Sequence, residues 1–155
     1  VYGFGISASY EGYDFSIFMQ GVARTSFFIN PNDISPFVNE RNALNVIADN
    51  HWSINNPDPN AFWPRLSTYS IANNEQQSTW WQRDGDFLRL KNIEIGYTFP
   101  DSESGLFSGL NTRVYFTGLN LLTFSKFDLW DTEMGGNGLG YPPQKVYNIG
   151  LQVNF

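Results

Sequence analysis

The 155-residue sequence predicts an all-β fold, the wall of an antiparallel transmembrane β-barrel. Three observations carry that reading. From Lys145 to the end, Tyr147, Ile149, Leu151, Val153 and Phe155 occupy every second position, with Asn148, Gly150, Gln152 and Asn154 between them. A strict two-residue period sends each set to its own face of a strand. One face is then continuously apolar and the other holds amides and glycine, as a strand between lipid and a hydrated interior requires. Composition is the second observation: aromatics make up 17% and charged residues only 15%, against roughly 25% charged in ordinary soluble domains. The third is an alternation of short turns and long loops, the asymmetry of barrels with short periplasmic and long extracellular connections.

The elements follow in order. Residues 2–10 alternate cleanly, with Tyr2, Phe4, Ile6, Ala8 and Tyr10 set against Gly3, Gly5, Ser7 and Ser9. A Glu11-Gly12-Tyr13 turn leads into a second alternating run over 14–27, so the pair reads as a β-hairpin. Residues 28–79 lose the period and hold five of the eight prolines. Proline has no N–H for a strand ladder, so this stretch is a loop rather than wall. One helix is expected inside it, from the spacing of Phe37, Val38, Ala43, Val46 and Ile47 after Ser35-Pro36. Strand character returns over 80–99, ending on Ile93, Ile95, Tyr97 and Phe99. Leu88 and Leu90 have the opposite parity there, and a β-bulge near Lys91-Asn92 would return both halves to one apolar face. Residues 101–110 form a turn, 111–124 a less regular strand, 125–143 a second long loop, and 144–155 the closing strand.

Five strands cannot close a barrel, and an open sheet with an apolar face would aggregate. The sequence also starts inside a strand, at Val1, with no basic and apolar leader. Both features set the expectation that these strands belong to a longer polypeptide.

The residues resemble one family. Trp80-Trp-Gln-Arg-Asp-Gly-Asp-Phe-Leu-Arg-Leu-Lys-Asn-Ile-Glu-Ile-Gly-Tyr97 is similar to a late-strand signature of SusC/RagA-type TonB-dependent outer-membrane transporters. Arg113 to Lys126 resembles that family's penultimate strand. Trp130-Asp-Thr-Glu133 resembles its Tyr-Asp-Pro-Glu element, with Thr132 where the pattern has Pro. Phe62-Trp-Pro-Arg-Leu-Ser67 and Tyr141-Pro-Pro-Gln144 follow the family order as well, and the likeness covers essentially the whole chain. It implies a 22-stranded barrel of which these would be the last five strands, with the amino-terminal plug absent. It further implies import of oligosaccharides or peptides, a SusD-like surface lipoprotein, and energy from the TonB complex through the absent part. The outer-membrane assembly machinery and outer-membrane lipid are the remaining partners, and the location is the outer membrane of a Gram-negative, Bacteroidota-like cell.

No enzymatic constellation, cofactor site or metal site is expected. The absence of cysteine removes thiolate chemistry. His51 is the single histidine and sits in a Pro/Asn-rich loop, where a solvated side chain needs no further explanation. Asp128, Asp131 and Glu133 lack the spacing of a calcium-binding EF-hand and read as loop braces. A net charge of −6 leaves no basic stripe to meet phosphate, which excludes nucleic acid as a partner. The tryptophans remain: Trp52, Trp63 and Trp130 are the expected substrate or lid contacts, since aromatic rings anchor ligands and interfaces. A soluble all-β carbohydrate-binding module, using those same tryptophans, is the alternative from another class.

By resemblance, the apolar set Tyr147, Ile149, Leu151, Val153 and Phe155 also forms the signal read by the assembly machinery. Deleting Phe155 from the intact receptor is therefore expected to lower outer-membrane levels without changing transport per inserted molecule. Quantitative immunoblotting of membrane fractions checks this; equal levels would contradict it.

Overall fold

A computed structural model of the chain describes residues 1–100 and 110–154. Its strands are β1 (Tyr2–Tyr10), β2 (Tyr13–Val22), β3 (Ser26–Phe28), β4 (Gln82–Asp84), β5 (Phe87–Thr98), β6 (Asn111–Ser125) and β7 (Val146–Asn154). β1, β2, β5, β6 and β7 form one antiparallel sheet in that order, while β3 and β4 pair separately.

The register puts the apolar sets side by side. Ile6 faces Ile17, Ile17 faces Ile93, and Ile93 faces Gly118, which in turn faces Tyr147. Ile95, Phe116 and Ile149 form the neighbouring row. The result is one apolar face across all five strands. The opposite face carries Ser7, Ser16, Glu94, Thr117 and Asn148 in a single cross-sheet row.

The bulge expected at Lys91 is present. β5 steps from Leu90 to Asn92 against Met19 and Phe18 of β2, so Lys91 is the extra residue. On the other side the step is from Leu122 to Leu119, where Asn120 adopts a left-handed φ of 54°. Leu88 and Leu90 thereby join Ile93, Ile95 and Tyr97 on the apolar face. The hairpin between β1 and β2 is a two-residue turn with positive φ at Glu11 (46°) and Gly12 (86°). Paired left-handed residues make the type I′ geometry that matches strand twist. A Cβ at Gly12 would also approach the Thr98 carbonyl oxygen to 2.7 Å.

Several expected boundaries shift. The run read as one strand over 14–27 leaves the sheet at Val22, and its tail becomes β3. The run read as 80–99 begins instead with a 3₁₀ turn, Thr79–Trp81, followed by β4. Only from Phe87 does it join the sheet, because Gly85-Asp86 breaks it: Gly85 N–H and the Asp86 side chain bind the backbone of Thr25 instead. The helix expected near Phe37–Ile47 is reduced to a 3₁₀ turn (Val38–Glu40) and a short helix, α2 (Asn45–Asp49), and another short helix, α1 (Pro31–Ile34), precedes Ser35. Phe37 has a left-handed φ of 63°, which a continuing helix does not permit. The turn expected at 101–110 and Phe155 lie outside the described residues, apart from Leu110.

Of the described apolar side chains in the five-stranded sheet only Phe87 and Leu90 are buried, and the main core cluster lies elsewhere. It lies in a cap built from residues 23–86 and 126–145, around Ile29, Ile34, Ile47, Phe62, Trp63, Trp81 and Phe127. Ile47 and Trp81 are 0% and 1% exposed, and the Trp63 and Trp81 rings lie 5.0 Å apart. Asn30 caps α1 by accepting from Asn32 N–H, with Pro31 in the first turn where its missing N–H costs nothing. His51 Nδ1 lies 2.9 Å from the Ala48 carbonyl at the end of α2, so the ring donates there. The long loop is thus a packed body, and Ile47→Ala is expected to cost it about 2–5 kcal/mol. Limited proteolysis of the intact receptor checks this, with cleavage within 31–78 expected to rise.

Candidate functional site

Three features define what the molecule can do: the apolar face, the ionic network opposite it, and the way the cap is fixed to the sheet.

The apolar face is exposed despite its chemistry. Ile6, Ile95, Ile149 and Leu151 are 66%, 47%, 83% and 63% exposed. A large contiguous apolar surface marks an interface with a partner or a membrane. Tyrosines border it at both ends. At the hairpin end Tyr10 faces Tyr13, and Tyr13 and Tyr97 have ring centroids 4.5 Å apart. At the cap end Tyr2 covers Gly21, where a Cβ would clash with the phenol. The nine residues of β1 that separate these borders rise about 26 Å at roughly 3.3 Å per step. The five sheet strands contain 9, 10, 12, 15 and 9 residues, and a tilted membrane strand needs about 9–11.

On the polar face, Arg113 of β6 reaches across β5. Its Nε donates to Asp14 of β2 at 2.9 Å and its Nη2 to Glu94 at 2.7 Å. Gly96 permits this crossing, because a Cβ there would lie about 2.5 Å from the Arg113 Nη2 and 2.6 Å from the Asp14 carboxylate. The Arg113 guanidinium also stacks on Tyr115 at 4.9 Å, and the Tyr115 ring in turn lies over Gly150. Three strands are tied together on the face away from the apolar surface.

The cap is held by Arg89 of β5. Arg89 is 1% exposed, and its Nη2 lies 2.6 Å from the Asp131 carboxylate. Nη1 lies 2.9 Å from Glu133 Oε2, a contact between charges outside hydrogen-bond geometry. Asp131 is oriented as it caps a 3₁₀ turn, accepting from Glu133 N–H at 3.0 Å. The Trp130-Asp-Thr-Glu133 motif is therefore an anchor for the second loop. Lys126 pairs with Asp84 at 2.9 Å, and Asn30 N–H binds the Gly136 carbonyl, which joins the two long loops. Asp86 N–H and then Lys126 hold the Asp84 carboxyl below its ordinary value, and Asp84 raises Lys126. The depressed carboxyl contributes above its unfolded pKa and is lost as the pH falls through the folded one, and the raised ammonium contributes below its unfolded pKa and is lost as the pH rises through its folded one, so this exposed pair weakens in acid and again in alkali.

The cap encloses a cleft of about 480 Å³ between the two loops. Phe62, Trp80 and Arg83 form one side of it, and Asn60, Thr79 and Asp128 are among its polar walls. Arg83 lies over the Phe62 ring at 5.6 Å and donates to the carbonyls of Trp80 and Gln82. Burial lowers its pKa.

The tryptophans singled out in the sequence are dispersed. Trp63 is 5% exposed in the cap core, which removes its ring from any ligand in this conformation. Trp52 is half-buried, its N–H bonded to the Trp63 carbonyl. Trp130 packs on Phe127 at 4.8 Å and donates its indole N–H to Gly135. None of the three lines the cleft. Trp80 does, although it is not among the tryptophans expected from the sequence: nothing in Trp80-Trp81 says which indole faces inward. Tyr147, Ile149, Leu151 and Val153 all sit on the exposed apolar face of β7.

With this geometry in hand, known proteins match the whole chain. No protein-family model matches it. TonB-dependent receptor P26 of Formosa agariphila is 29% identical over 176 aligned residues, covering 100% of this chain and 17% of the receptor. TonB-dependent receptor P3 of the same organism is 31% identical over 73% of this chain and 12% of its own length. The solved RagAB peptide transporter superposes with a TM-score of 0.74 at 28% identity, over 99% of this chain and 17% of that one. Sequence and fold together place the chain among TonB-dependent receptors. Within that class it is of the SusC/RagA type, and it spans 12–17% of the length of these relatives.

Replacing Arg89 with Ala leaves two carboxylates facing a void. Losing one partner of a buried pair typically costs about 3–5 kcal/mol, and partial solvent contact of the carboxylates favours the lower end. Hydrogen exchange in residues 126–140 of the intact receptor is expected to accelerate while exchange in β6 and β7 stays unchanged. Unchanged loop protection would refute the anchor.

Proposed function

We propose that the chain is the closing wall of an outer-membrane importer, the last five strands of a 22-stranded barrel. In this reading the apolar face lies in outer-membrane lipid and the Arg113 network faces the lumen. The cap projects outside the cell, beneath a SusD-like surface lipoprotein. A plug and a TonB-contacting segment elsewhere in the receptor supply energised uptake of oligosaccharides or peptides. The assembly machinery reads the alternating apolar set of β7, Tyr147 to Val153, together with Phe155. Trp52 and Trp130 remain candidates for lid or substrate contact at the cap, and Trp63 would contribute only if the cap opened.

The observation that carries the reading is the apolar face itself. It is continuous over five strands, bordered by tyrosines, and built on strands of at least nine residues, where a tilted membrane strand needs about 9–11. The whole-length likeness to TonB-dependent receptors supports the same conclusion. A soluble carbohydrate-binding module has no use for such a surface, which would drive aggregation in water.

A charge-placement experiment tests this. Ile17 and Ser16 are neighbours on opposite faces near the middle of the sheet. Ile17→Arg is expected to cost about 2–4 kcal/mol at the bilayer midplane, whereas Ser16→Arg on the lumen side is tolerated. Outer-membrane levels of the intact receptor should fall for the first variant alone. Uptake by cells carrying the unaltered receptor should stop when TonB is removed; uptake that persists would contradict the importer reading.

A further inference from the structure

We propose that the cleft between the two long loops binds the carboxylate group of a small organic ligand; the inference concerns binding alone and goes beyond the importer reading. Its anchor is Arg83. The guanidinium is half-buried, lies over the Phe62 ring at 5.6 Å, and takes part in none of the ion pairs among the described residues. Nη1 donates to the carbonyls of Trp80 and Gln82 at 2.7 and 2.8 Å, which fixes the plane of the group. The edge formed by Nε and Nη2 bonds to no described residue. Parallel N–H donors on one edge are the fork that a planar carboxylate accepts bidentately. A charge drawn out of water without a partner is costly, and a bound carboxylate would offset that cost.

The other polar walls favour a ligand rich in acceptors. Lys126 gives one N–H to Asp84 at 2.9 Å and keeps its remaining donors, and its side chain is 83% exposed and able to turn. Asn50 Oδ1 accepts from the Phe62 N–H at 3.1 Å, which leaves the amide NH₂ as its open end. The Asn60 amide and the Thr79 hydroxyl bond to no described side chain or backbone group. Asp128 is the one carboxylate among the lining residues, and it is exposed to water. Asp84 and Asp86 share a second depression with Arg83, but neither comes within ion-pair distance of it. Both are engaged, Asp84 by Lys126 and Asp86 by the Thr25 N–H. Val46, Phe62, Trp80 and Leu129 supply apolar wall for the carbon skeleton of the ligand, and Phe62, 6% exposed in the cap core, makes that wall preformed. The volume of about 480 Å³ falls within the roughly 300–1,000 Å³ of small-molecule sites.

The test is isothermal titration calorimetry of the intact receptor in detergent, with glutarate and with glutaramide, its uncharged diamide. Glutarate is expected to bind at least about tenfold more tightly than glutaramide, the worth of one charge-assisted bidentate contact. Arg83→Gln should weaken glutarate by about the same tenfold. Arg83→Lys should weaken it about threefold, because the ammonium keeps the charge and loses the fork. Lys126→Gln should also weaken it about threefold, as loss of one charged donor at a solvated position. Lys126 lies on the surface, so its variant decides the matter if Arg83→Gln does not fold. Failure of glutarate to bind overturns the proposal, as does equal affinity for glutarate and glutaramide. Glutarate binding indifferent to both Arg83→Gln and Lys126→Gln overturns it as well, since the carboxylate is then held elsewhere in the receptor. TonB-dependent uptake alongside any of these failures would leave the importer reading standing. Uptake without TonB would remove that reading and leave the carboxylate site untouched.

Discussion

The structure depends on one slip of register at Lys91. Side chains alternate along a strand, so a β5 without a bulge would put Arg89 and Lys91 on the same face as Ile93, Ile95 and Tyr97. Leu88 and Leu90 would then face the interior. The extra residue reverses this arrangement. It adds the two leucines to the apolar face, and it turns Arg89 inward to the one place where two carboxylates can meet it. The wall and the cap are both consequences of the same irregularity.

Glycine and aromatic pairs make the rest of the sheet compatible with that arrangement. Phe18 lies against Gly3 and Gly5, Tyr2 against Gly21 and Tyr115 against Gly150. In each pair a ring occupies the space that a missing Cβ leaves, which recovers packing a strand glycine otherwise forfeits. Gly96 serves a different purpose, as the gap through which Asp14 and Arg113 meet across β5. The polar face is therefore braced laterally by charge, while the apolar face is left smooth. A surface that contacts lipid needs no internal bonds of its own, and the ladder hydrogen bonds satisfy the backbone.

Much of the wall was legible because it obeys a local rule. The two-residue period identifies each face from neighbours alone, and the parity break between Leu90 and Ile93 located the bulge before any coordinates. The cap was not legible in that way. Ile29, Ile47, Trp63, Trp81 and Phe127 come together from distant positions with no common period, so their burial is a property of the packed loops. Proline and asparagine content correctly excluded wall strands from 28–79, but read as open loop what is a small core. The same limit explains the tryptophans. Only packing separates Trp63 and Trp81, in the core, from Trp80, on the cleft. The partners of Arg89 lie 42 and 44 residues away, at Asp131 and Glu133, where no local pattern connects them to it.

The most direct measurement is a cysteine scan of residues 88–97 in the intact, membrane-inserted receptor, with nitroxide labels and collision accessibility to oxygen and to a water-soluble relaxant. This segment contains no native cysteine to confuse the labelling. The account predicts lipid exposure at 88 and again at 93, 95 and 97, with the alternation changing parity at Lys91. An alternation that runs through Lys91 unchanged, or water accessibility at every position, would contradict it.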